Sequence, residues 1–277
     1  MTNSNTKQYY NGPVVVIVGP TGSGKTGVSI EIAKILKTIE PYKNIPGPAA
    51  EIISADSRAI YKYMDIGTAK PLPEEQDGIP HFGIDLVEPG ERFTVADWKA
   101  YAEQKIEEIR SRGHVPMVVG GTGLYIDALV FDYHFIGKAG EKVKNVANVQ
   151  TEQKICSDRQ EMVSGYSIFG IKWEPEELRA RLSERANKLF TQELYKETEF
   201  LVKKYGWGSQ AMKSNIYQFA WEYLQGNLSL SEAKKQFILD DWHLAKRQIT
   251  WFKRNNKIVW LPLEKVNEFV LKCIQDG

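Results

Sequence analysis

Cysteine is scarce in this chain. Cys156 and Cys273 are the only two in 277 residues, too few for a disulfide scaffold, and neither has the Cys/His neighbours of a structural zinc site. This usage points to a reduced, cytoplasmic compartment. Long apolar runs are also missing. No stretch reaches the roughly 18 residues that span a bilayer, so no membrane partner is expected. The polar stretch Met1–Asn11 lacks the apolar core of a signal peptide, which argues against export. Repeats and low-complexity tracts are absent. What is present is ordinary for a folded chain: 42% hydrophobic and 26% charged residues, which excludes disordered and collagen-like classes. The net charge of +1 conceals an asymmetry. Residues 1–130 carry 13 basic and 16 acidic side chains, the remainder 23 and 19. That balance permits a nucleic-acid partner without requiring one.

The pattern along the chain alternates strands and helices. Val14–Val18 is an unbroken β-branched run, as in a strand buried on both faces of a parallel sheet. A helix is expected from Lys25 to Leu36. Pro41, Pro46 and Pro48 mark a loop, and Glu51–Ser54 reads as a second strand. Thr94 to Arg112 is a predicted helix, opened by Thr94 and Asp97 as a capping box. Val95, Trp98, Ala102, Ile106 and Ile109 form its apolar stripe. Val115–Val119 is another buried strand, followed by a glycine turn and a helix from Leu124. Residues 132–166 lose the pattern. Tyr166–Lys172 resembles a strand, and one long helix is expected from Pro175 to Lys204. Ser229 and Glu232 form a second capping box for a helix to about Lys253, and Lys257–Leu261 reads as a last strand. The expected fold is α/β: a parallel sheet flanked by helices, carrying a phosphate loop, with a mostly helical C-terminal half. The expected division is an α/β core over 1–131, a shortened insertion over 132–166 and a helical part completing the core over 167–277.

Gly19-Pro20-Thr21-Gly22-Ser23-Gly24-Lys25-Thr26 fits the phosphate-loop pattern between a strand and a helix. Glycines turn backbone N–H groups towards phosphate oxygens, and the helix N-terminus adds partial positive charge. Lys25 would meet the phosphates and the Thr26 hydroxyl would ligate Mg²⁺. The plain alternative is a glycine-rich turn with no ligand. Such a loop identifies a di- or triphosphate, not the molecule that carries it. The strand Val115–Val119 ends in Gly120 and Gly121, without the Asp that NTPases place there, which disfavours a motor or GTPase. Asp56 lies just past a strand end, the edge where open α/β sheets bind ligands. It suits a general base on an acceptor, or equally a helix cap.

Several strings together resemble the tRNA dimethylallyltransferase family. They are Gly19–Thr26, Ile53–Arg58, Ile60–Pro71, Val118–Tyr125 and Leu244–Phe252. The resemblance implies transfer of a dimethylallyl group from its diphosphate to N6 of the adenine 3′ of the tRNA anticodon, giving N6-isopentenyladenosine. It makes the loop Gly19–Thr26 a diphosphate holder with Mg²⁺ as cofactor. It casts Asp56, Thr122 and Arg247 as catalytic residues: Asp56 on the N6 proton, Thr122 at the reaction centre, Arg247 as a second cation on the diphosphate. Asp56, Ser57, Arg58, Ala59 and Thr122 would meet the flipped base. Lys246, Lys253 and Arg254 would meet tRNA phosphates. The partners implied are the tRNA anticodon stem-loop and dimethylallyl diphosphate, with the enzyme a monomer. Between Lys234 and Lys257 there are seven basic residues against Asp240 and Asp241. Trp242, Trp251 and Phe252, interleaved among them, read as core at helical spacing rather than as stacking platforms.

The chain departs from the family in two places. Relatives usually carry a helical insertion with an Asp-plus-Arg motif. Here Asp132–Gly165 is too short for it and holds only fragments such as Asp158-Arg159. Ile216-Tyr217 stands where the family has Gly-Tyr. The competing functions are a P-loop small-molecule kinase, prenyl transfer to a free adenine nucleotide, and a catalytically weak RNA-binding relative. The Ala245–Phe252 and Gly67–Pro71 strings disfavour the kinase, and the basic helical half disfavours the free-nucleotide enzyme.

Overall fold

The computed structural model describes residues 9–135, 161–209 and 211–276. Its centre is a six-stranded, wholly parallel sheet in the order β3-β2-β4-β1-β5-β6. The strands are β1 (Val14–Val18), β2 (Ala50–Ser54), β3 (His81–Phe82), β4 (Val115–Gly120), β5 (Tyr166–Lys172) and β6 (Val259–Pro262). All five β1 residues are buried, as an unbroken β-branched run between two helical layers should be. The period of two sorts them between two cores. Val15 and Ile17 pack with Val28, Ile32 and Leu36 of α1 (Lys25–Leu36) and with Val266, Val270 and Ile274 of α8 (Leu263–Asp276). Val14, Val16 and Val18 pack with Trp98, Ile106 and Ile109 of α2 (Val95–Ser111) and with Leu129 of α3 (Gly123–Val130). The Thr94–Asp97 capping box forms as expected, and all five residues of the α2 stripe are buried.

The helical half adds α4 (Pro175–Leu189), α5 (Gln192–Tyr205), α6 (Asn215–Leu224) and α7 (Leu230–Phe252), the last opened by the Ser229–Glu232 capping box. The single long helix expected from Pro175 to Lys204 is two helices. Leu178, Leu182, Ala186 and Leu189 make one buried stripe, and Leu194, Thr198 and Leu201 make another out of phase with it. The chain breaks at Phe190, whose ring packs edge-on against Phe237 of α7 at 5.7 Å, and Thr191 restarts it from an extended conformation. Two further helices, α6 and α8, are not among the expected elements. A third core joins Ile60, Tyr61 and Met64 to Leu194, Leu201, Ile216, Tyr217 and Phe237, so the chain beyond β2 is gripped by the helical half.

Most of the 132–166 segment, including Cys156 and the Asp158-Arg159 pair, lies outside the described residues. Among the described residues no helix is long and apolar enough to cross a membrane.

Candidate active site

The sheet order places the carboxyl ends of β1 and β4 side by side, with β2 on the far side of β4. Connections leave these ends in opposite directions, which opens a crevice of the kind that binds ligands in α/β sheets. Three loops meet there: 19–24 after β1, 55–58 after β2 and 120–122 after β4. They line a cavity of about 740 Å³ together with α4 and α7.

The phosphate loop turns through Gly22 and Gly24, at φ 73° and 89°, a region closed to most side chains. Gly24 precedes α1, and no side chain caps the helix, so first-turn N–H groups remain for an anion. Carbonyls of Gly19, Pro20, Gly22 and Ser23 are occupied. Trp173 Nε1–H donates to Ser23 O at 3.1 Å, and Arg181 Nε–H to Gly22 O at 2.8 Å. Lys25 Nζ donates to Pro20 O at 2.7 Å and Gly19 O at 3.0 Å. Burial beneath the loop lowers Lys25 to about 8, Asp56 opposes that fall and Arg185 adds to it. Gly19 and Pro20, expected on the diphosphate, are themselves buried and do not line the cavity. Their part is to hold the Lys25 ammonium through backbone oxygens.

Gln248 of α7 joins two of the loops. Its Oε1 accepts Thr21 N–H at 2.7 Å, and its Nε2 donates to Gly121 O at 3.0 Å. The approach is so close that a Cβ on Gly121 would lie 2.4 Å from Gln248 Nε2, and one on Gly123 2.2 Å from Trp251 Cδ1. The Gly120–Gly123 turn and the Leu244–Phe252 string, separate in sequence, are therefore two halves of one contact.

Thr122 stands at the N-cap position of α3, but its side chain makes no capping bond. Its Oγ1 accepts Ser57 N–H at 2.9 Å and donates to Ser57 Oγ at 3.3 Å, tying the third loop to the second. Asp56 Oδ1 accepts Arg58 N–H at 2.8 Å, a local turn bond, and the residue lines the cavity. Asp56, Ser57, Arg58, Thr122, Thr26 and Arg247 all line the cavity. Ala59 does not: it is 5% exposed, packed beneath the turn, so its side chain cannot meet a base.

Arg247 is exposed on the cavity wall and forms no ion pair among the described residues. Arg185 of α4 faces the same space and pairs with Asp241, whose carboxyl burial pushes up while Arg185 pulls it down. Sequence reasoning misses Arg185, Arg181, Trp173 and Gln248. The two arginines stand four residues apart, one face of a helix, but nothing local separates that from a solvated charged face.

The basic residues expected on tRNA divide. Lys246 and Lys253 are exposed. Lys246, His243, Arg247, Thr250, Trp251 and Arg254 line a shallow depression of about 620 Å³ along α7. Arg254, by contrast, is committed: it pairs with Asp127 at 3.3 Å and stacks on Trp251. The aromatics divide as well. Phe252 is core, whereas Trp242 is half-buried under Arg179 and Trp251 lines the cavity.

Fold and cavity define an α/β protein with a phosphate-loop site at the topological switch point of a parallel sheet. A family model described as IPP transferase matches residues 59–162 and 137–255. The tRNA dimethylallyltransferase of Acetivibrio thermocellus is 36% identical over 296 residues, covering 90% of this chain and 91% of its own. That of Bacillus velezensis is 30% identical over 314 residues, covering 95% and 96%. Among solved structures, a tRNA isopentenylpyrophosphate transferase from Bacillus halodurans superposes with a TM-score of 0.75 at 27% identity, over 95% of this chain and 97% of that one. One from Staphylococcus epidermidis gives 0.75 at 29%, over 95% and 99%. The chain belongs to the tRNA dimethylallyltransferase family, and it is a prenyl-transferring enzyme. The Bacillus velezensis alignment is longer than this chain's 277 residues, so the chain lacks residues that this relative has.

Proposed function

We propose that the enzyme transfers a dimethylallyl group from dimethylallyl diphosphate to N6 of the adenine 3′ of a tRNA anticodon, acting as a cytoplasmic monomer. The observation that carries the reading is one cavity holding a phosphate loop with its lysine, the three arginines Arg58, Arg185 and Arg247, the Asp56 carboxylate and Thr122. Its volume of about 740 Å³ suits a small diphosphate ester and one base, not a duplex. The base must therefore leave its stack to react.

In this reading the free loop N–H groups between Gly22 and Thr26, Lys25 and Arg247 bind the diphosphate, and Arg185 adds charge behind them. Their positive potential stabilises the leaving group as the allylic C–O bond breaks. The N6 nitrogen forms the new C–N bond, and its proton passes to Asp56. Thr122, fixed by Ser57, holds the acceptor side of the cavity. The donors suit Mg²⁺ bound with substrate. No group of three His, Cys, Asp or Glu among the described residues forms a cation cage. Mg²⁺ commonly takes one or two protein oxygens and completes its shell with phosphate oxygens and water. The Thr26 hydroxyl would supply the protein oxygen, and the ion when bound would neutralise charge on the diphosphate. The exposed Lys246 and Lys253 track the phosphates of the anticodon arm.

The test is incubation with dimethylallyl diphosphate and unmodified tRNA, followed by nucleoside mass analysis. N6-isopentenyladenosine is the expected product. Prenylated free adenine nucleotide without modified tRNA, or ATP consumed in step with product, would overturn the reading.

A further inference from the structure

Of the buried carboxylates, Glu51 is paired with Arg112 and His114 at the start of β2 and Asp241 with Arg185, which leaves Asp127 near the cavity with no part in the reaction as derived. Asp127 is 8% exposed on α3, whose other residues are uncharged. Its Oδ2 accepts Trp251 Nε1–H at 2.8 Å and an Arg254 Nη2 hydrogen at 3.3 Å. The Arg254 guanidinium lies 3.9 Å from the Trp251 ring centroid. Carboxylate, indole and guanidinium therefore form one unit, joining α3 to the last turn of α7. The indole is also part of the cavity wall, pressed against Gly123, the residue after Thr122. Asp127 thus stands one layer behind the acceptor side of the cavity.

Stability alone is a poor reason for this charge. Burial raises the Asp127 carboxyl to about 6, against the pull of Arg254 and of the Trp251 hydrogen bond. The folded state favours the protonated acid more than the unfolded chain does, so the charge carried at pH 7 costs stability. A near-isosteric Asn would keep an acceptor for the indole without that cost. Arg254 is the one charged group acting on Asp127 among the described residues. On α2, packed against α3, Lys99 is engaged by Glu103 and Asp132.

We propose that Asp127 is a positioning residue for prenyl transfer: it locks Trp251 and Arg254 into a stacked wall beside Thr122 and so sets the orientation of the acceptor base. The proposal rests on the tRNA-prenylation reading above. It separates the roles of two arginines, Arg247 on α7 facing the diphosphate and Arg254 just past its end, braced on the indole. The negative charge matters because it holds the guanidinium flat on the ring, which a neutral amide does more weakly.

The experiment compares wild type, Asp127→Asn and Trp251→Phe in steady-state kinetics from pH 5 to 8, in thermal unfolding at pH 7.5 and in tryptophan fluorescence. Asp127→Asn is expected to unfold at or above the wild-type temperature, yet to lose kcat/KM for tRNA by about tenfold, the scale of a misplaced reacting group. Its KM for dimethylallyl diphosphate should stay unchanged. As pH falls through about 6, Asp127 gains a proton, Arg254 loses its partner, and wild-type kcat/KM for tRNA should drop towards the variant's level. The variant itself should show no such step. The fluorescence difference between wild type and Trp251→Phe should titrate near the same pH and be flat in an Asp127→Asn background. Wild-type kinetics in Asp127→Asn across the range, or losses that follow a lowered unfolding temperature, would overturn the proposal. If the wild type prenylates no tRNA, the functional reading fails instead. The fluorescence titration then decides on its own whether Asp127 holds the indole, and its absence also overturns the inference.

Discussion

The phosphate loop and the Ile60–Pro71 loop border the same cavity and are held in opposite ways. The first takes its turns from two left-handed glycines and is tied mainly through its carbonyls, which accept from its own Lys25 and from Trp173 and Arg181. The second is tied through its N–H groups. Glu197 of α5 accepts the N–H groups of Asp65, Ile66 and Gly67 at 2.8–2.9 Å and the Tyr217 hydroxyl at 2.8 Å. Lys70, 6% exposed, pairs with Asp65 and Asp85. A loop that binds ligand with its backbone must keep most of its N–H groups free; here Thr21 N–H is tied to Gln248, and the other outside ties run to carbonyls. A loop that merely walls the cavity can be tied through its N–H groups. The contrast predicts that damage to the first loop costs activity, and damage to the staples of the second costs stability.

Lys25→Ala should remove turnover almost entirely, with little change in unfolding temperature, since the lost group is a cation that burial already disfavours. Rate and thermal melts together check this, and a large fall in stability would break the comparison. The same lysine sets a pH limit. In the free enzyme it loses its proton as pH rises through about 8, so dimethylallyl diphosphate should bind more weakly above that pH, readable by titration calorimetry. The folded state releases this proton before the unfolded chain does, so the group adds stability as pH climbs from about 8 towards the ordinary lysine value.

Asp56→Ala should slow single-turnover transfer by about 10²–10⁴ while tRNA affinity is kept, because its task is a proton. A near-normal rate would remove it from the mechanism.

Glu197→Ala lies on the other side of the comparison. Three backbone donors and a buried phenol lose their acceptor, and each such loss costs about 1–3 kcal/mol where water cannot substitute. Denaturant unfolding should show a loss of about 4 kcal/mol or more, with only a secondary fall in rate. Unchanged stability would mean the second loop holds itself.

The smallest effect is expected from Lys246→Glu with Lys253→Glu. Affinity for tRNA should drop several-fold at low salt and the logarithmic salt dependence should become shallower, starting from a wild-type slope of about three to five phosphates. Affinity for dimethylallyl diphosphate should not move. A steep wild-type slope of six phosphates or more would point to contacts from elsewhere in the chain.

Features held together locally are legible in the amino-acid sequence. The β1 run, the phosphate loop and both capping boxes each rest on neighbours within a few residues, and each stands where its pattern predicts. The α4–α5 break is not legible in that way. The apolar stripe changes phase at Phe190 and Thr191, and in the fold Phe190 packs on Phe237, 47 positions on, where the first helix ends. Ala59 shares a turn with residues that line the cavity, and sequence alone groups it with them; which residues of a turn face inward is decided by what packs beneath. Tyr217 stands out in the sequence only for the residue before it. In the fold its ring fills the space over Gly67, where a Cβ would lie 2.4 Å from Cζ.

The sequence by itself determined that a parallel α/β sheet presents a phosphate loop, an aspartate and a glycine turn at its strand ends, and which family that combination belongs to. Each of those signals is a short pattern whose physics is complete within one turn or one strand. Only the tertiary structure decided that Gln248 bonds Thr21 across 227 residues, that Arg185 faces the cavity, and that Arg254 is braced on Asp127. Those outcomes depend on which face of a helix meets which loop. That is set when separate apolar stripes pack against one another, and no single stripe encodes its partner.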